Sequence, residues 1–155
     1  MKIGEHGLGD HVRLLAPLFA FIAAVWALRL VLFAAGAPMG VVRVSSVTVA
    51  GAISVLFAAL LIHVRRFGSY TSVVLAVFLL ECCQQILIVA AITFTALTNI
   101  QNVYSAPEYS FGGGYLRHIL GHLIGGVVFG TLLGSAMGSL VLWMLRRFTP
   151  KEARS

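Results

Sequence analysis

Residues 118–138 read HILGHLIGGVVFGTLLGSAMG, without a single Asp, Glu, Lys or Arg. At 1.5 Å rise per residue, such a stretch is about 30 Å long as a helix, the thickness of a bilayer's hydrocarbon core. The stretch sits inside a longer apolar run, Leu116 to Leu145. Every fourth residue from His118 forms one row: His118, His122, Gly126, Gly130, Gly134, Gly138. The run predicts a membrane span, and the row predicts that one of its faces is special.

Three more apolar runs precede it: Leu14 to Ala35, Val44 to Val64, and Ser72 to Thr98. GAPMG at 36–40, RRFGSY at 65–70 and NIQNVYSAPEYSFGGGY at 99–115 separate them. Of the 155 residues, 59% are hydrophobic and 10% charged, and the mean hydropathy is +0.97. Water-soluble domains carry roughly 25% charged residues, so lipid is the expected solvent here. The expected fold is an all-α integral membrane protein, one domain over 1–155, built as an antiparallel bundle of four transmembrane helices. The first run has the length of a retained helix, since a cleaved signal peptide has an apolar core of only about 7–15 residues.

Basic residues indicate which way the chain crosses the membrane. Lys2 and Arg13 precede the first span, Arg65 and Arg66 follow the second, and Arg146, Arg147, Lys151 and Arg154 follow the fourth. Only Arg29, Arg43 and Arg117 fall towards the other side. Both termini are therefore expected in the cytoplasm, with loops 36–43 and 99–115 outside, in a plasma membrane or bacterial-type inner membrane. The net charge of +6 is then topology information and points to no nucleic acid. The adjacent Cys82 and Cys83 lie inside a span and have no metal or disulfide spacing.

Each glycine inside a helix costs roughly 1 kcal/mol relative to alanine. Four on one face imply a groove that something fills. Small residues let helix backbones approach closely in lipid, where little hydrophobic force joins them. The filler is expected to be a helix of this chain, a helix of another subunit, or a flat cofactor.

His118 and His122 are one turn apart near the expected outer end of the fourth span. That spacing can share a metal ion, but a complete site needs further ligands. Glu108, Tyr104, Tyr109 and Tyr115 are near enough in sequence to be considered, and Gly112 to Gly114 would let the loop fold back as a lid. A haem held between two histidines is disfavoured, because His63 lies at the opposite end of its span, about 30 Å away. His6 and His11, with Glu5 and Asp10, are expected in a solvated tail.

Glu81 is the only acid within a span, and Gln84 and Gln85 share its face. An ionised carboxylate there costs at least a few kcal/mol, which makes it a functional candidate. Its alternative role is hydrogen bonding between helices, to Ser54 or Thr48. Arg29 is close enough to consider as a partner but is expected to snorkel towards headgroups.

No pair of catalytic aspartates is possible, as Asp10 is the only aspartate, and no nucleophile–base pair stands out. The leading expectation is a noncatalytic membrane subunit that joins a homo- or hetero-oligomeric complex through the glycine face. A proton- or cation-coupled transport component using Glu81 is the second. A haem- or metal-binding redox subunit using His118 and His122 is the third.

Overall fold

The computed structural model of the protein describes residues 2–3, 6–105 and 114–149. Two short strands, β1 (Lys2–Ile3) and β2 (His6–Gly7), pair antiparallel ahead of the helices. They are followed by α1 (Leu8–Ala34), α2 (Met39–Val44), α3 (Val47–Val64), α4 (Tyr70–Thr98), α5 (Gly114–Leu120), a π-helical turn (Gly121–Gly126) and α6 (Val127–Phe148). Four stretches are long and apolar enough to cross a membrane: Leu8–Ala34, Met39–Val64, Tyr70–Thr98 and Gly114–Phe148.

The ends of these helices follow local chemistry rather than hydropathy. α1 begins at Leu8, ahead of the apolar run that starts at Leu14. Gly7 N–H donates to Asp10 Oδ2 at 2.8 Å, which satisfies a free donor of the first turn and places an acid at the positive end of the helix dipole. The second span is broken at Ser45 and Ser46, so α2 is a single short turn set off from α3. α4 ends where Asn99 takes a left-handed conformation (φ 59°), a backbone that Asn tolerates better than most residues.

α4 touches α1, α3 and α6, while α3 packs on both α1 and α6. Leu15 and Ile22 of α1, Val55 and Ile62 of α3, Val77 and Leu80 of α4, and Leu142 of α6 fill the interior between them. The outward face of the fourth span is as apolar as the interior: Leu116, Phe129 and Leu132 are 71%, 67% and 65% exposed. In water such a face would aggregate, whereas in lipid it is the ordinary surface of a spanning helix.

His6 and His11 are packed rather than solvated. His11 is fully buried, and its Nδ1 lies 2.9 Å from the Gly7 carbonyl. His6 stacks on Phe67 with ring centroids 3.9 Å apart, and His11 meets the same ring edge-on at 4.9 Å. Hydropathy missed this because the segment buries itself through aromatic rings and a histidine, not through an apolar run. Glu5 lies outside the described residues.

Candidate functional site

The glycine row of the fourth span is filled by α4 of the same chain. A Cβ on Gly138 would come within 2.8 Å of Val73 Cγ1, and one on Gly134 within 2.7 Å of Val77 Cγ1. One on Gly130 would run into the carboxyl group of Glu81, and one on Gly126 would stand 2.6 Å from Gln85 Cδ. The glycines advance by four as their partners retreat by four: 126 with 85, 130 with 81, 134 with 77, 138 with 73. Two rows of period four thus run in opposite directions, one without side chains and the other seated in the space this leaves. Such close approach is what glycine permits and any larger residue prevents. The groove is occupied by Val73, Val77, Glu81 and Gln85, which leaves no room along it for a flat cofactor ring.

On the other side of α4, Gly51 of α3 accommodates Gln84, whose Oε1 would collide with any Cβ there. Gln84 and Ser54 are both buried, and neither Gln84 Oε1 nor Ser54 Oγ has a hydrogen-bond partner among the described residues. The interhelical bond from Gln84 to Ser54 or Thr48 is therefore not made. Close contact with a glycine takes its place.

Gln85 joins the polar residues of α4 to the histidines. Its side chain interacts with that of Glu81, one turn earlier on α4. Its Oε1 accepts from His122 Nδ1–H at 2.8 Å. With its proton on Nδ1, neutral His122 presents an Nε2 lone pair, which lies 3.2 Å from His118 Nε2 and accepts from it. The result is a continuous row, His118 to His122 to Gln85 to Glu81, leading from the end of α5 into the middle of α4.

The π turn is centred on this row. Its hydrogen bonds run i→i+5, and such turns occur mostly as single bulges inside α-helices, frequently at functional sites. Three of its six residues, Gly121, Gly125 and Gly126, are glycines, which accept the altered backbone without side-chain clash. The turn carries His122 and falls where the packed glycine row gives way to the histidines. The sequence offered one signal for it, the glycine density of GHLIGG, and one for the link across helices, the four-residue spacing of Glu81 and Gln85.

Arg29 is buried, 9% exposed, and does not reach out to headgroups as expected. Its guanidinium carbon sits 5.0 Å from the Tyr104 ring centroid. Tyr104 belongs to a segment folded back onto the end of α4. There Asn102 Nδ2 donates to the Ala91 carbonyl and to Thr95 Oγ1, each at 2.7 Å. Asn102 Oδ1 accepts from Tyr104 N–H at 2.9 Å, and Thr95 Oγ1 and Ser105 Oγ lie 2.9 Å apart. Val103 and Tyr104 are buried beneath this network. Within the first part of what reads as a loop, residues 102–105 thus form a buried plug. Burial pushes the Tyr104 phenol up to about 12, against the pull of the Arg29 charge. Next to the plug, between α1 and α4, lies an apolar cavity of about 460 Å³ walled by Trp26, Leu30, Phe33 and Phe94.

The remaining candidates are dispersed. His63 hydrogen-bonds Thr149 Oγ1 at 3.1 Å, at the end opposite His118 and His122. Cys82 and Cys83 are free thiols. Tyr115 is exposed, while Glu108, Tyr109, Gly112 and Gly113 lie outside the described residues. Among the described residues, no three of the His, Cys, Asp and Glu side chains stand together as a metal-binding group. Comparison of the chain with protein-family models, curated proteins and solved structures found no match.

Proposed function

We propose that the protein is a small proton- or cation-coupled membrane transport component whose working part is the row Glu81, Gln85, His122 and His118. The observation that carries this reading is the row that leads from an intramembrane carboxylate through the neighbouring Gln85 to a hydrogen-bonded histidine pair on another helix. Ionisable groups inside a membrane are costly and mark ion or proton paths by default. In this reading the four spans form an antiparallel bundle. Both termini are on the cytoplasmic side of a plasma or bacterial-type inner membrane, as the distribution of Lys and Arg supports.

Gln85 makes the row a coupling device rather than a wire, since an amide relays a hydrogen bond but holds no spare proton. An ionised Glu81 only accepts, so it draws in the Gln85 N–H and turns the amide oxygen to His122 Nδ1–H. A protonated Glu81 has an O–H to donate and competes for that oxygen. The charge state of Glu81 is thereby read as the orientation of His122.

Assembly with other membrane subunits, or with further copies, is the other reading. Its support is weaker than the glycine spacing alone suggests, because Gly126, Gly130, Gly134 and Gly138 are covered by α4. An assembly would have to use the lipid-facing surfaces instead.

The test is proton or cation flux into liposomes containing the purified protein. Wild type is expected to conduct, and Glu81→Gln to abolish conduction without loss of folding. Absence of flux in wild type, or undiminished flux in Glu81→Gln, would overturn the proposal.

A further inference from the structure

We infer that His118 and His122 bind a divalent cation of borderline softness, of the Zn²⁺, Co²⁺, Ni²⁺ or Cu²⁺ type. The inference names the cation of the transport reading and rests on it for the role of the site, but not for the binding itself.

The two Nε2 atoms converge at 3.2 Å. Their rings are 5.0 Å apart between centroids and inclined at 37°. Two imidazole nitrogens bound to one tetrahedral zinc ion, each at about 2.0–2.1 Å, stand about 3.3 Å from one another. The observed gap, which a hydrogen bond spans, therefore also matches the spacing of two ligands on one ion. Histidines at i and i+4 on a helix are also the spacing of helical zinc sites, and imidazole suits this group of metals.

The second observation is the partner of His122. Metal-binding histidines nearly always donate their other ring N–H to an oxygen, which fixes the tautomer and the ring orientation. Gln85 Oε1 accepts from His122 Nδ1–H in this way, so the Nε2 lone pair already faces His118. His118 needs only to carry its proton on Nδ1 for both Nε2 atoms to be free for the ion. The protein supplies two ligands, leaving two positions of a tetrahedral ion for water or an exchanging ligand. An ion held so loosely is suited to passage rather than to structure.

Binding replaces the His118 to His122 hydrogen bond, so the ion and the intact row exclude one another. Occupancy at the histidines is linked to Glu81 through Gln85, because the ion uses the His122 tautomer that the Gln85 oxygen holds. This is the coupling that a proton–cation exchange requires.

The experiment is calorimetric titration of the purified, tag-free, full-length protein with Zn²⁺ in lipid nanodiscs, with electron paramagnetic resonance of bound Cu²⁺. The expected result is one site per chain with two nitrogens on the copper. His118→Gln and His122→Gln should each remove it, while His6→Gln leaves it. Gln85→Leu should weaken Zn²⁺ binding about 10- to 100-fold, the usual effect of losing an oxygen that orients a metal-bound histidine. Glu81→Gln should lose flux and shift the Zn²⁺ affinity, since the state of residue 81 sets the orientation of His122. Melting curves identify any variant that fails to fold, and the copper spectrum of wild type judges the ligands without any variant. No Zn²⁺ binding by wild type, or binding undiminished in His118→Gln and His122→Gln, overturns the inference even where liposomes conduct. Binding without any flux leaves the site standing and overturns the transport reading alone.

Discussion

The carboxyl group of Glu81 lies against the backbone of Gly130, in the space where any other residue would place its Cβ. The same glycine row that brings α4 and α6 together therefore brings the carboxyl group of one helix to the surface of the other. Packing and chemistry share one interface. Gly134 and Gly138 seat two valines, and Gly130 and Gly126, further along, seat Glu81 and Gln85.

The interface should be sensitive to single methyl groups. In Gly134→Ala the new Cβ would meet Val77 Cγ1 at 2.7 Å, an overpacking that costs about 1–3 kcal/mol. Alanine's better helix propensity returns roughly 1 kcal/mol. The net effect is expected to be a modest loss of thermal stability in detergent. Val77→Ala should relieve the clash, so the double variant should be more stable than the sum of the two single changes predicts. A strictly additive cycle would show that the two residues do not touch.

Gln85→Leu should leave His122 Nδ1–H without its acceptor. A buried donor left unpaired costs about 1–3 kcal/mol, and the ring loses what fixes its tautomer. Nitrogen-15 spectra of labelled histidine report this directly. Wild-type His122, assigned from His122→Asn, should show its proton on Nδ1, and Gln85→Leu should show the two tautomers mixed. The same spectrum in both proteins would mean that Gln85 does not orient the ring.

The spans were legible from hydropathy, because an apolar run of bilayer length has few other uses. Their ends were less so. α1 starts at Leu8 through the Gly7 to Asp10 cap, and a cap adds nothing to hydropathy. That four glycines needed a partner also followed from their spacing. Which partner did not, since Val73, Val77, Glu81 and Gln85 are identified only once two helices are set in register. Gln85 read as a companion of Glu81 and proves to be its link to His122, a contact 37 residues away in sequence. The plug was hidden for a different reason. Asn102 and Ser105 are polar and read as loop, yet they are buried because they satisfy each other and Thr95 of α4. Arg29 was expected among headgroups because side-chain length allows it, whereas the plug offers it the face of Tyr104 instead.

The plug should depend on Asn102. Its side chain donates two hydrogen bonds and accepts a third, from Tyr104 N–H. Asn102→Ala removes all three and leaves Tyr104 N–H unpaired, at a cost of about 1–3 kcal/mol. Amide hydrogen exchange at residues 102–105 should accelerate strongly in this variant. Thr95→Val should have a comparable effect, because it removes the bonds of Thr95 Oγ1 to the Ile100 carbonyl, Ser105 Oγ and Asn102 Nδ2. Exchange that is already fast in wild type would show that the segment is not held against α4.

Tyr104 predicts a loss of stability at high pH. Its phenol is pushed from the usual 10 up to about 12 by burial, so the folded chain keeps this proton where the unfolded chain gives it up. The unfolded state then binds fewer protons, and stability falls as pH rises. The contribution is intact below pH 10 and is lost progressively between about pH 10 and 12. Each tenfold difference in proton affinity between the two states corresponds to about 1.4 kcal/mol, so the loss approaches about 2–3 kcal/mol for a group this well buried. Tyr104→Phe has no phenol to ionise. The wild-type melting temperature should therefore fall more steeply than that of the variant across this range, with other basic and phenolic groups cancelling in the comparison. Absorbance at 295 nm should show one tyrosine of wild type ionising late and absent from Tyr104→Phe. Parallel melting curves, with all tyrosines titrating near their usual value, would mean that water reaches the phenol and that the plug does not close over Arg29.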